Sequence, residues 1–210
     1  MPRLNLEKER ERLYAMSAYE RMYAGKGRIA GIDEVGRGPL FGPVAAAAVI
    51  LDPDTEILYL NDSKKLSEAR REALYDEIME KAAAVGIGMV SAARIDEINI
   101  LQATYEAMRE ALSRLSPQPD FLLVDAVTIP RISIPQLPIV RGDAKSRSIA
   151  AASIIAKVTR DRLMQEYEDL YPGYGLARNK GYGTAEHIEA LKRLGPTPLH
   201  RRSFLKNFTE

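Results

Sequence analysis

Asp33 and Glu34 are adjacent carboxylates closing a short apolar run of Ile29, Ala30 and Ile32, and Gly36-Arg-Gly-Pro-Leu-Phe-Gly-Pro43 follows within two residues. A strand that delivers acid groups to a rim has this form. Glycines on either side of Arg37 let the backbone take φ > 0 or approach another molecule closely, and the guanidinium is a fork suited to phosphate. Carboxylates beside such a loop point to metal-assisted chemistry on a polyanion. The same residue types also build an ordinary turn between strands, so this stretch alone leaves both readings open. Geometry adds a condition. Neighbouring side chains on a strand point to opposite faces, so Asp33 and Glu34 share a site only if the strand ends, twists or bulges there.

Two further acids stand at comparable places. Phe121-Leu-Leu-Val-Asp125 reads as a strand with an acid at its carboxyl end, where open α/β sheets gather their ligands, although an Asp that caps the next turn has the same signature. Asp143, in Arg141-Gly-Asp-Ala-Lys-Ser-Arg147, sits where the N-cap of a long helix belongs, and capping alone explains it. Lys64 and Lys65 precede another helix and read either as solvated lysines or as phosphate contacts. The segment Tyr171-Pro-Gly-Tyr-Gly-Leu-Ala-Arg-Asn-Lys-Gly-Tyr-Gly183 interleaves aromatic rings with bases and carries no acid, which suits stacking beside phosphate contacts. His187 and His200 have no metal-ligand spacing and are read as surface or capping residues.

The elements that must position these groups follow from periodicity. Residues 4–24 form one amphipathic helix with Leu6, Leu13, Met16 and Tyr23 near a helical period. Strands are expected over 28–33, over the unbroken apolar run 44–51, over 85–91, over 121–125 and, briefly, at 139–140. The first two, joined through a turn, can pair antiparallel. Ser67 caps a helix running to about residue 84, and residues 95–115 carry an apolar stripe that belongs to the core. The three prolines of 128–138 read as a loop. Small apolar residues from Ile149 to Ala156 suggest a helix packed closely on the sheet, and Thr184 caps a last helix ending at Leu194.

Composition bounds the chemistry. With 210 residues and 46% hydrophobic content, one buried domain with a small appendage is expected. The absence of cysteine excludes disulfides, thiolate zinc sites and a cysteine nucleophile. The charged N-terminus is unlike a signal peptide, and no apolar run reaches the roughly 18 residues of a membrane span, so a soluble, cytoplasmic protein without membrane contact is expected. A net charge of +1 hides a basic C-terminal third, where 13 Lys and Arg face 8 Asp and Glu over residues 141–210.

Brought to one rim of a mixed sheet, Asp33, Glu34, Asp125 and Asp143 would repel one another unless cations intervene, and oxygen-only donors suit Mg²⁺ or Mn²⁺. Two such ions roughly 3.5–4 Å apart activate water and stabilise the leaving oxygen without histidine or cysteine. A non-catalytic nucleic-acid-binding module is the alternative if the acids hold no metal.

The chain resembles the bacterial ribonuclease HII family in several pieces taken in order. These are Gly-Ile-Asp-Glu-Val-Gly-Arg-Gly-Pro (31–39), Asp-Ser-Lys-Lys-Leu-Ser (62–67), Ile-Asp-Glu-Ile-Asn-Ile-Leu (95–101), Leu-Val-Asp (123–125), the stretch 142–161, Gly-Tyr-Gly-Thr-Ala-Glu-His (181–187) and His-Arg-Arg-Ser-Phe (200–204). The first and the 142–161 stretch are the most specific. Phe41 and Gly183 depart from the family's pattern. The resemblance implies an α/β, ribonuclease H-like fold: a five-stranded mixed sheet flanked by helices, with a helical C-terminal segment inside a catalytic domain (27–210) and an N-terminal helical extension (1–26). It implies an endonuclease that cuts the RNA strand of RNA–DNA hybrids and nicks duplex DNA 5′ to embedded ribonucleotides, leaving 3′-hydroxyl and 5′-phosphate ends. It assigns Asp33, Glu34, Asp125 and Asp143 to the metals, Mn²⁺ or Mg²⁺. Gly36, Arg37 and Gly38 would read the ribose 2′-hydroxyl, Tyr182 would stack on the following deoxyribose, and Lys64 and Lys65 would meet backbone phosphates. A monomer is expected.

Overall fold

A computed structural model describes residues 3–206, with side chains from residue 6 onward. Strands Ile29–Val35 (β1), Val44–Ile50 (β2), Ala84–Val90 (β3), Phe121–Asp125 (β4) and Gln136–Ile139 (β5) form one sheet in the order β3-β2-β1-β4-β5. The pairs β1–β2 and β2–β3 are antiparallel, whereas β1–β4 and β4–β5 are parallel. A parallel neighbour needs a crossover, and the helix Ala92–Ser113 (α4) supplies it between β3 and β4.

The sheet alternates its side chains between two cores. Ala30, Ile32, Ala46 and Ala48 face α4 through Ala107, Met108, Ala111 and Leu112. On the other face Ala47 and Val49 meet the long helix Arg147–Leu170 (α5), with Glu68–Lys81 (α3) beside it. Small residues let α5 approach closely: a Cβ on Gly31 would lie 2.1 Å from the Ser148 carbonyl carbon, so β1 requires glycine there. A third cluster gathers Phe41, Met164, Tyr174, Leu176 and Leu191 where the short helices Leu176–Asn179 (α6) and Ala185–Leu194 (α7) pack on the far end of α5.

The first strand is longer than expected, running through Glu34 to Val35 in register with Ala46 and Ala45 of β2. The N-terminal helix is two helices, Arg3–Met16 (α1) and Ala18–Tyr23 (α2), divided at Ser17, whose hydroxyl donates back to the Leu13 carbonyl at 2.8 Å. The last strand starts at Gln136 instead of Ile139 and contains Pro138, which an edge strand tolerates because the N–H that proline lacks would have no further strand to join. Helix α4 breaks at Asn99, φ 67°, where the Asn99 side chain accepts from the N–H groups of Leu101 and Gln102 and so restarts the helix. Ser67, Ser91 and Thr184 each cap the helix that follows, by accepting from the N–H three residues on.

Candidate active site

Asp33 and Glu34 do not share a face. The strand neither ends nor bulges between them, so Asp33 points towards α5 and is buried, while Glu34 points to the α4 side and is half-buried. They are joined instead through Asp125. The β1–β4 ladder closes at Ile32 and Val124, so Asp33, Glu34 and Asp125 lie where the two parallel strands cease to pair. Burial, and then the charges of Glu34 and Asp125, push the Asp33 carboxyl well above the usual carboxylate range. Burial also raises Glu34. The Arg37 guanidinium, 3.4 Å away, opposes that rise, and Asp125 adds to it.

Asp125 is anchored by the Gly142 N–H, which donates to its Oδ1 at 2.6 Å. That bond ties the end of β4 to the turn Gly142–Ala144 that carries Asp143. Asp143 is not the cap of α5: Ser146 is, accepting from the Ile149 N–H, because the chain makes one tight turn before the helix begins. Asp143 is thereby released to face the cleft. Burial, then Asp62, then Asp125 raise its carboxyl, while Lys64 opposes them. A cleft of about 560 Å³ is lined by Asp62, Lys64, Lys65, Asp125, Asp143 and Lys145. Both predicted lysines are exposed at its rim, on the turn Ser63–Lys65. Beneath that turn, Ser63 Oγ lies 2.9 Å from Ser153 Oγ of α5, which docks it against the helix that covers Asp33.

The Gly36–Pro43 loop is held by two buried arginines whose role was not read from sequence. Arg201 donates from Nε to the Gly42 carbonyl at 2.9 Å, from Nη1 to Arg37 at 2.9 Å and from Nη2 to Gly36 at 2.6 Å. Arg160 donates to the carbonyls of Pro43, Lys180 and Phe41 at 2.8–3.0 Å. Each guanidinium thus finds three backbone acceptors in place of water, the condition for burying it. Gly36 has φ +87°, and a Cβ there would lie 2.3 Å from Arg160 Nε. Gly38 differs: its Cβ would meet only Tyr182 Cε1, at 3.5 Å. The half-exposed Tyr182 ring therefore lies beside the Gly36-Arg37-Gly38 turn, although 144 positions separate Tyr182 from Gly38. Phe41 is fully buried edge-on against His200, Tyr167 and Tyr171, which anchors the loop's far side.

The two histidines are neither surface nor capping residues. Both are buried, 0% and 1% exposed, with their Nε2 atoms 3.1 Å apart. Each ring meets the other through Nε2, and its Nδ1 meets a nearby group, the Tyr182 carbonyl for His187 and Thr197 for His200.

Among the described residues no three His, Asp or Glu side chains close around a common point as they stand. The donor set still suits a hard divalent cation: every candidate ligand is a carboxylate, and three of the four are pushed towards neutrality by burial and by one another, a penalty that a bound cation removes. Acids gathered at the open ends of two adjacent parallel strands, on a five-stranded mixed sheet with helices on both faces, define a nuclease of the ribonuclease H-like fold.

Comparison with known proteins agrees. The family model for ribonuclease HII matches residues 30–207. A ribonuclease HII of Lachnoclostridium phytofermentans is 67% identical over 204 residues, covering 97% of this chain and 80% of the relative. The ribonuclease HII in the PCNA complex from Archaeoglobus fulgidus superposes with a TM-score of 0.71 at 29% identity, covering 87% of this chain and 97% of that one. The structure of Bst-RNase HIII in complex with Mn²⁺ shares the fold, with a TM-score of 0.62 at 19% identity, covering 79% and 61%. The chain belongs to the ribonuclease HII family, and is an endoribonuclease acting on the RNA of RNA–DNA hybrids. No helix among the described residues is long and apolar enough to cross a membrane.

Proposed function

We propose that this enzyme, besides cutting the RNA strand of hybrids, nicks duplex DNA on the 5′ side of an embedded ribonucleotide and leaves 3′-hydroxyl and 5′-phosphate ends. The observation that carries the reading is the placement of the exposed Tyr182 ring beside the exposed Arg37-Gly38 backbone, its Cε1 lying 3.5 Å from where a Cβ on Gly38 would stand. A 2′-hydroxyl is what separates RNA from DNA, and glycine-flanked backbone groups can approach it where side chains would clash. Gly36, Arg37 and Gly38 meet the ribose, and Tyr182 stacks on the sugar that follows. Lys64 and Lys65 neutralise backbone phosphates along the cleft.

Asp33, Glu34, Asp125 and Asp143 hold the divalent ions, Mn²⁺ or Mg²⁺, as the Mn²⁺ complex of the structurally similar ribonuclease HIII also suggests. When bound, such ions supply a hydroxide-like nucleophile and stabilise the leaving oxygen. The chain orients these groups through the Gly142–Asp125 bond and excludes water behind Asp33 with α5. The protein acts as a cytoplasmic monomer. A thermal melt tests the metal site: Mn²⁺ raises the melting temperature of the wild type, and Asp125→Asn loses most of that rise. Equal melting curves with and without ion would contradict the metal site.

A further inference from the structure

The histidine pair has only one consistent arrangement of protons. His187 Nδ1 lies 2.9 Å from the Tyr182 carbonyl, which can only accept, so Nδ1 carries the hydrogen. At the other end the Thr197 N–H, which can only donate, points at His200 Nδ1 from 3.0 Å, so that nitrogen carries a lone pair. With both rings neutral, His200 Nε2–H donates to His187 Nε2 across 3.1 Å, and every ring nitrogen is satisfied. A proton added to either ring puts two N–H groups face to face or opposes the Thr197 donor. Burial lowers both imidazoles. The second ring and Arg202 lower His200 further, whereas on His187 the Tyr182 carbonyl, the Gly181 backbone and Glu186 oppose the fall.

The far end of this chain is the backbone of Tyr182 itself. Its carbonyl accepts from His187 and from the Thr184 N–H at 2.8 Å, and its N–H donates to Asn179 at 2.9 Å. Gly181 accepts from Leu40 N–H at 2.8 Å, so the same peptide segment is sewn to the Gly36–Pro43 loop. The aromatic ring is exposed, yet its backbone is fixed on both sides.

We propose that His187 is a positioning residue for Tyr182, held in its Nδ1–H tautomer by His200, and that it sets how strongly the enzyme engages the sugar after the ribonucleotide. This rests on the stacking role given to Tyr182 above. His187 touches no substrate; it acts by fixing the angle at which the Tyr182 ring leaves the backbone.

Two polar replacements separate positioning from mere support. His187→Asn places an amide N–H near the Nδ1 position and keeps the Tyr182 bond, whereas His187→Gln reaches towards His200 and loses it. The measurement is kcat/KM for nicking a DNA duplex with one ribonucleotide, for each variant and for Tyr182→Ala, with melting temperatures and the Mn²⁺-induced rise recorded in parallel. Loss of one base- or sugar-stacking contact lowers kcat/KM roughly 5- to 150-fold in Tyr182→Ala. His187→Gln is expected to lose at least about fivefold through KM, His187→Asn to stay within about threefold, and both to keep the Mn²⁺ response. In the double variant Tyr182→Ala/His187→Gln the losses do not add, because the second residue acts only through the first.

Equal losses in the Asn and Gln variants, or losses that add to that of Tyr182→Ala, would overturn the positioning role while leaving Tyr182 its function. If Tyr182→Ala nicks as well as wild type, the stacking role itself fails, and the role of His187 falls with it.

Discussion

Gly36 and Gly38 flank one arginine and are interchangeable on paper, yet they are held to different requirements. Alanine at 36 must adopt φ +87° and meet Arg160 Nε at 2.3 Å, so Gly36→Ala is expected to lose about 1–3 kcal/mol of stability in denaturant melts. Alanine at 38 meets only Tyr182 Cε1 at 3.5 Å. Gly38→Ala should melt within about 0.5 kcal/mol of wild type but nick ribonucleotide-containing DNA at least about tenfold more slowly, since its methyl group occupies the approach to the ribose. Equal stability losses in the two variants would contradict the distinction. In the sequence Asp33, Glu34, Asp125 and Asp143 are separate strand-end or turn acids, each with a competing turn or cap reading, and only the fold brings the ends of β1 and β4 and the Gly142 turn together. The arginines that hold the loop were not legible: Arg201 and Arg202 are neighbours of one type, and only the fold shows that the first is buried while the second is exposed.

Among the elements, the C-terminal segment does more than cover one end of α5. Arg201 donates to the Gly36, Arg37 and Gly42 carbonyls and so satisfies all three. Arg201→Met leaves all three unpaired and should cost at least about 3 kcal/mol, read as a lower denaturant midpoint at unchanged slope. Asp96 of α4 holds the next turn by accepting from the Arg202 and Ser203 N–H groups, at 2.8 and 2.9 Å, so the Ile-Asp-Glu-Ile-Asn and His-Arg-Arg-Ser-Phe motifs meet in space.

The same segment gives a pH dependence. His200 falls from 6.5 to about 4, driven by burial and then by His187 and Arg202, so between those values the unfolded chain binds a proton that the native fold refuses. The contribution of His200 is therefore complete above about pH 6.5 and is lost as pH falls towards 4, by roughly 3 kcal/mol at the limit. Urea midpoints measured across that range should fall for wild type and flatten in His200→Gln. A profile unchanged by that substitution would place the acid-sensitive group elsewhere. Periodicity revealed most elements, because apolar runs and caps are local signals. It missed the break at Ser17, where a serine hydroxyl bonds back to the Leu13 carbonyl, and it missed the start of β5, set by pairing with β4, and the burial of His187 and His200, set by packing against each other and Phe41.

At the scale of the molecule, the order β3-β2-β1-β4-β5 makes the site possible. Parallel pairing brings the ends of β1 and β4 side by side, so acids separated by about ninety residues of sequence become neighbours. The reading of the strand that carries Asp33 and Glu34 needed the sheet as well. A twist or an end was expected between them, whereas the strand stays regular and the neighbouring ladder opens instead. The C-terminal segment then brings Tyr182 back across α5 to Gly38.

Nicking of a DNA duplex that holds a single ribonucleotide, with Mn²⁺ or Mg²⁺, tests this arrangement most directly. Wild type is expected to cut on the 5′ side of the ribonucleotide, Asp125→Asn to lose at least about 10³-fold while keeping its fold, and Tyr182→Ala to lose roughly 5- to 150-fold. Cleavage of long RNA–DNA hybrids alone, with no nick at the single ribonucleotide, would contradict the role given to Gly36, Arg37, Gly38 and Tyr182.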